Sequence, residues 1–423
     1  MINNKRYLFE GEKFDVFSGD RCIATLEVEK TTDFGGKLAP VLHKTYIENE
    51  VFETGNFLTF PVSGMNYHSM IRWLEGRMPN VKNPVVREVL GNKEGLEEVL
   101  RVTNGVLAVD NLWLRFADDE KDYTEVLKQR RIILKDKEVI TLEGEYDVRN
   151  DEDNLYAVGS SRGKQPKYLL EDKGVWVKQD TSYNEGVMEY LASIVLENST
   201  LQEGLDYVKY RPCKIQTSQG ITQGCVSKDY RMKGYSEVTL GQLLHHYYST
   251  DMLNRKEVRC LTLDEKIDFA YQLLNQYIGF FDFKEGIKRI LAFDALILNE
   301  GRQLEDIVFL TDGCYVYFAP IHDNAMSLLT RQYSEQNDVI YTDTQLGLVG
   351  NKEVALNKAK PSVFTKNFRK QVKAYDEEPF IYRKRLLGVL EELGNTGDTV
   401  LKRSIGVLKR QLNNPYYSKL MKD

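Results

Sequence analysis

The alternation of apolar and polar positions divides the chain into a strand-rich start, a mixed middle and a helical end. Up to about residue 60, runs such as Cys22-Ile23-Ala24-Thr25-Leu26-Glu27-Val28 and Phe57-Leu58-Thr59-Phe60, bounded by Gly and Asp, predict strands. Helical spacing follows over 67–76, with Met70, Ile71 and Leu74 on one face, then in a segment opened by Asn83-Pro84, and over 95–102. Residues 111–115 form a short aromatic-bearing segment, and 149–154 a charged linker. Strands are predicted over 167–170 and 175–178, meeting at an Asp172-Lys173-Gly174 turn. A helix over 184–197 and strands over 207–215 and 221–228 come next. From Thr239 onward the period becomes helical, over 240–248, 263–279 and 285–299, and again over 377–393 and 398–412. Between these, 293–324 reads as a helix end, a charged loop and two short strands around Thr311-Asp312-Gly313.

Composition bounds this picture without changing it. The chain's 423 residues, 42% hydrophobic and 28% charged, suffice for two or three domains with their own cores. A net charge of -6 argues against a general nucleic-acid binder. Cys22, Cys213, Cys225, Cys260 and Cys314 show no CxxC or Cys/His spacing, so neither a disulfide framework nor a zinc site is expected. The N-terminus lacks an apolar signal segment and no run approaches the roughly 18 apolar residues that span a bilayer, which predicts a cytoplasmic protein with no membrane partner.

The candidate chemistry is concentrated in a few places. Gly159-Ser160-Ser161-Arg162-Gly163-Lys164 combines two glycines, two hydroxyls and two cations, which can lay backbone N–H groups and positive charge along phosphates. Lys178 ends an apolar strand directly before the helix that carries Glu185 and Glu189, four residues apart, and either glutamate is placed to pair with it and orient a phosphate-binding lysine. Residues 226–230, with Ser227 and Asp229, form the connection where an adenine would meet backbone groups. Asp294 falls on the apolar stripe of its helix and is expected to brace the following loop, because a buried carboxylate needs partners. Asp323, after an apolar run, is placed to supply a carboxylate to Mg2+. Lys402-Arg403 and Lys409-Arg410 flank an apolar helical stripe and read as a solvated face.

In this order the features resemble the HipA-like kinase family over about 155–330, with the helical end as its expected continuation. The resemblance rests on the Gly-Ser loop, Lys178, the helix after it, the connection 227–230, the loop 299–307 and Ala319-Pro320-Ile321-His322-Asp323. Residues 72–79 and Leu112-Trp113-Leu114 resemble the N-terminal region of standalone members. The fold implied is α+β: a bilobal protein-kinase-like arrangement with a β-rich N-lobe (151–230) and an α-helical C-lobe (231–423), preceded by a smaller α/β accessory or docking domain (1–150). ATP and Mg2+ are the implied cofactors, and the family's active members phosphorylate serine or threonine on a protein. Carried over, Lys178 contacts the α/β-phosphates, Asp323 binds metal, and Ser160 or Ser161 lies where members are autophosphorylated. The family's loop runs Asn-x-Asp-Arg-His-x-x-Asn; here Asn299 and Arg302 match, Gly301 replaces the catalytic Asp, Gln303 the His, and Asp306 the metal-binding Asn. Asp306 is still able to ligate Mg2+. These departures favour a pseudokinase, or a kinase of diverged chemistry, that regulates a protein partner. The alternatives are an active serine/threonine kinase using Glu300 or Glu305 as substitute base, and a non-enzymatic binding module with a dead nucleotide site.

Overall fold

A computed structural model describes residues 7–32, 38–47, 51, 58–60, 65–79, 90–91, 93–107, 109–130, 132–133, 140–143, 155–157, 165–170, 174–181, 184–217, 220–231, 235–247, 256–276, 278–280, 282–312, 315–330, 368–396 and 398–422. Among them, sheets and helices form a mixed α/β architecture, and no helix is long and apolar enough to cross a membrane.

The first sheet contains β1 (Lys13–Ser18), β2 (Arg21–Thr32), β3 (Leu38–Tyr46) and β4 (Leu112–Phe116) in the order β3-β2-β1-β4, with antiparallel neighbours. Its alternating residues Phe14, Val16, Leu26, Val28, Leu112 and Leu114 share a core with Met70 and Leu74 of α1 (Tyr67–Gly76) and Leu96 and Leu100 of α2 (Leu96–Thr103). Asn66 caps α1 through a reciprocal capping box with Ser69. A third helix, α3 (Tyr123–Arg130), follows β4. The expected strand around Leu58 is not formed: residues 58–60 make a turn, and Leu58 and Phe60 are apolar because they are buried there. The expected helix at Asn83-Pro84 lies outside the described residues, as does the linker 149–154.

The second sheet holds β5 (Ile132–Ile133), β6 (Ile140–Glu143), β7 (Leu155–Ala157), β8 (Lys167–Leu170), β9 (Val175–Gln179), β10 (Tyr210–Thr217) and β11 (Gly220–Lys228), in the order β5-β7-β8-β9-β11-β10-β6. The β8–β9 hairpin sets Lys167 directly opposite Lys178, and β11 sets Cys225 on the other side of Lys178. Helix α4 (Glu185–Glu197) packs against β10 and β11 and is buried on nearly every side. It reaches the sheet at two glycines: a Cβ on Gly186 would sit 2.6 Å from the Gly224 backbone.

The remainder comprises β12 (Ser236–Thr239), α5 (Leu240–Tyr247), the short α6 (Lys256–Arg259), α7 (Leu263–Asn275), α8 (Phe283–Ile297), β13 (Val308–Thr311), β14 (Val316–Phe318), α9 (Phe368–Ala374), β15 (Ile381–Tyr382), α10 (Arg383–Leu393), α11 (Thr399–Asn413) and β16 (Met421–Lys422). Strands β12, β13 and β14 form a third, antiparallel sheet. The helix expected over 377–393 starts only at Arg383. The Phe380 N–H is committed to Leu420 O (3.1 Å) and that of Tyr382 to Asn198 O (2.9 Å), while Ile381–Tyr382 pairs with Met421–Lys422. Helix α7 stops at Asn275, four residues short of the expected Gly279. Helix α8 ends at Ile297 because Leu298 turns left-handed (φ 56°), which launches the loop that follows.

Candidate functional site

Lys178 lies where β9, α4 and the segment after β14 converge. Its ammonium donates to Glu189 Oε1 (2.7 Å) and to Asp323 Oδ1, and sits 4.6 Å from the centre of the Tyr210 ring. Glu189 uses its second oxygen to accept the backbone N–H of Asn324 (2.8 Å), so one glutamate ties α4 to both the lysine and the 322–324 turn. Burial opposes the charge on Lys178, but Asp323 and then Glu189 more than offset it and hold its pKa well above the usual value. Burial likewise opposes the charge on Asp323, yet Lys167 and Lys178 keep that carboxyl well below the carboxylate range.

Of the two helix glutamates, only Glu189 meets the lysine. Glu185 accepts from the Thr181 N–H (3.1 Å) and the Thr181 hydroxyl and closes the turn into α4. Asp180 sits beside it, its Oδ1 accepting the Gly186 N–H (2.7 Å) and its buried Oδ2 without a hydrogen bond. Burial first, then the Glu185 and Glu189 charges, push the Asp180 pKa up to about 7 against the pull of the Gly186 bond.

The loop after α8 is organised by Arg302, whose side chain is only 4% exposed. All five of its N–H groups are used: Nε to Asp294 Oδ2 (3.0 Å), Nη2 to Asp294 Oδ1 (3.0 Å) and Asn324 Oδ1 (2.8 Å), and Nη1 to His322 O (2.7 Å) and Asp306 O (3.3 Å). Asn299 donates to Asp294 (2.9 Å) and accepts the Gly301 N–H (3.0 Å). Asp294 therefore braces the loop, as its place on the apolar stripe implied. By holding the His322 carbonyl and the Asn324 side chain, Arg302 brackets Asp323, which is itself left-handed at φ 55°.

Asp306 accepts the Gln303 N–H through Oδ2 (2.8 Å). Burial and then the Asp323 charge raise its pKa to about 6, so the two carboxylates repel one another in a manner a divalent cation would relieve. Among the described residues no group of three or more His, Cys, Asp or Glu side chains gathers as a metal cage. Gly301 carries no side chain at the position where the resemblance expects an Asp; a Cβ there would lie 3.0 Å from Met326 Cβ. Glu305 packs against Gly241 at the start of α5.

At the connection, Ser227 is buried within β11, flanked by Tyr210 and Trp176. Asp229 pairs with Arg231 (2.6 Å), and its N–H is taken by Gly174 O (2.6 Å). Gly159, Ser160, Ser161, Gly163 and Lys164 lie outside the described residues. Sequence reasoning missed Lys167 as a site residue; its ammonium reaches Asp323 Oδ1 at 3.5 Å. Counting back from the 172–174 turn would have found it, since an even hairpin register sets Lys167 against Lys178.

No described protein family matches the chain by sequence. No curated protein matches it either. Among solved structures it is similar to the Helicobacter pylori proinflammatory kinase CtkA, at 15% identity and a TM-score of 0.38, covering 62% of this chain and 90% of that one. It is also similar to a structure of the Shewanella oneidensis MR-1 toxin–antitoxin system HipA, HipB and operator DNA complex, at 13% identity and a TM-score of 0.44, covering 94% and 95%. At these TM-scores the functional reading rests on the chain's own side chains.

Proposed function

We propose that this chain is an ATP- and Mg2+-binding protein of bilobal kinase-like fold, with 151–230 as the β-rich lobe, 231–423 as the helical lobe and 1–150 as an accessory domain. The observation that carries the reading is the meeting of Lys178 and Lys167 at Asp323, with Glu189 holding Lys178 and the Asp323 charge reaching the Asp306 carboxyl. Two lysines and two carboxylates meeting at one point suit a triphosphate and its metal. Lys178 and Lys167 would hold phosphate oxygens, and Asp306 and Asp323 would hold Mg2+, whose chemistry is to neutralise charge on the phosphates. Glu189 keeps Lys178 aimed, and Arg302 keeps the Asp323 turn in place.

Catalysis is the weak half of the site. Gly301 offers no base, and a missing general base costs about 10²- to 10⁴-fold. The protein accordingly acts as a pseudokinase or diverged-chemistry kinase that regulates a protein partner in the cytoplasm. Labelled-phosphate transfer by the wild type, Gly301→Asp and Asp323→Ala tests this. Because Met326 crowds Gly301, the Asp variant is also made with Met326→Ala. The reading expects little transfer by wild type, a gain in Gly301→Asp with Met326→Ala, and none in Asp323→Ala. Robust wild-type transfer would contradict it, and transfer that also survives Asp323→Ala would remove the proposed site.

A further inference from the structure

Beside the lysines and carboxylates the space between the second sheet and the β13–β14 hairpin is filled by the chain's own rings. Trp176 stands two residues before Lys178 on β9, on the same face of the strand. The Arg231 guanidinium covers Trp176 at 5.2 Å and is pinned by Asp229 (2.6 Å) and Glu237 (3.6 Å). Tyr230, at the end of the connection, packs on one side against Val208, Tyr210 and Cys225 of the second sheet. On the other side it packs against Val308, Leu310 and Ala319 of the β13–β14 hairpin. Its ring stacks on His322 (5.0 Å between centres, 27° between planes), and its hydroxyl donates to Glu237 (3.1 Å). A flat ring therefore bridges the sheet and the hairpin, next to the connection and one residue's reach from Asp323.

We infer that Tyr230 occupies the slot a nucleotide base would take, stacked on His322 in the base's place, so that the site offers its lysines and carboxylates to polyphosphate and metal but takes a base only after Tyr230 swings out. This rests on the nucleotide reading above and adds its gate. The phosphate half has its own partners: Lys178 is held by Glu189 and Asp323 and Lys167 by Asp323, while the Tyr230 hydroxyl goes to Glu237. The base half contributes no net affinity while the Tyr230 ring, stacked on His322, already fills it.

The test is calorimetric titration of the full chain with Mg-ATP and, separately, with the magnesium salt of inorganic tripolyphosphate. Wild type, Tyr230→Ala, the milder Tyr230→Leu, and the exposed control Tyr317→Ala are compared, with circular dichroism to verify folding. Wild type and Tyr317→Ala are expected to bind the two ligands within about threefold of each other. Opening the slot lets the base stack, so Tyr230→Ala should bind Mg-ATP about tenfold or more tighter with tripolyphosphate affinity unchanged. Tyr230→Leu should gain less and carries the test if the alanine variant does not fold. Wild-type preference for Mg-ATP by tenfold or more, or loss of Mg-ATP affinity in the Tyr230 variants, would overturn the gate while leaving the nucleotide site standing. Binding of neither ligand by any variant would remove the nucleotide reading and the gate together.

Discussion

Arg302 offers the sharpest structural perturbation. Its guanidinium feeds five acceptors on three separate elements: the Asp294 carboxylate on α8, the Asp306 carbonyl in the loop, and the His322 carbonyl and Asn324 side chain around Asp323. Lysine keeps the charge but replaces a planar five-donor fork with a single ammonium of three donors. At least two of the five bonds are then lost in a buried site, at about 1–3 kcal/mol each. Arg302→Lys should therefore cost about 2–6 kcal/mol, a large share of the roughly 5–15 kcal/mol that ordinarily separates folded from unfolded domains. Urea denaturation followed by circular dichroism measures this. Arg72→Lys is the comparator, because Arg72 is exposed on α1; it should move stability by no more than about 0.5 kcal/mol. Mg-ATP affinity should fall as well, since the turn bearing Asp323 loses its brace. Equal, small effects of the two substitutions would refute the view of Arg302 as the hub.

Three other outcomes are expected. Glu189→Ala strands Lys178 beside Asp323 alone and frees the Asn324 N–H, which should cost about 3–5 kcal/mol; a double-mutant cycle with Lys178→Met should recover part of that loss, and strict additivity would count against the pair. Gly186→Ala drives a Cβ to within 2.6 Å of the Gly224 backbone, so it should destabilise by about 1–3 kcal/mol and weaken Mg-ATP binding by tilting α4 away from Lys178, measured by melting and titration. The Asp180 pKa is raised from 3.8 to about 7 in the fold, so the folded state binds the extra proton; its contribution to stability is fully present below about pH 4 and is lost as pH rises towards 7, on the order of 1.4 kcal/mol per pH unit. Asp180→Asn, which keeps an acceptor for Gly186, should flatten that decline in denaturation measured between pH 4 and 8; an unchanged slope would mean Asp180 does not titrate there.

Local features of the fold were readable in the sequence, and those set by distant contacts were not. The 67–76 helix, the β8–β9 hairpin and the β10 and β11 strands follow from period and turn residues alone. Asp294 announced its bracing role by falling on an apolar stripe. Its main partner, Arg302, depends on the left-handed turn at Leu298, which nothing in the local residue pattern marks. The i, i+4 spacing of Glu185 and Glu189 cannot choose between them; the choice is made where Gly186 meets Gly224, from strands later in the chain. Leu58 and Phe60 misled because burial in a turn makes the same apolar pattern as burial in a strand. The start of α10 was misplaced because Ile381 and Tyr382 pair with residues forty positions further on.

The central claim is that Lys167, Lys178, Asp306 and Asp323 form a Mg-nucleotide site. It is tested most directly by the melting temperature of the full wild-type chain with and without Mg-ATP, beside Asp323→Ala. Ligand at a hundredfold over its Kd adds about 2.7 kcal/mol to stability, so the wild type should melt several degrees higher in saturating Mg-ATP and Asp323→Ala should not shift. A wild-type melting temperature indifferent to Mg-ATP, or an equal rise in Asp323→Ala, would contradict the account.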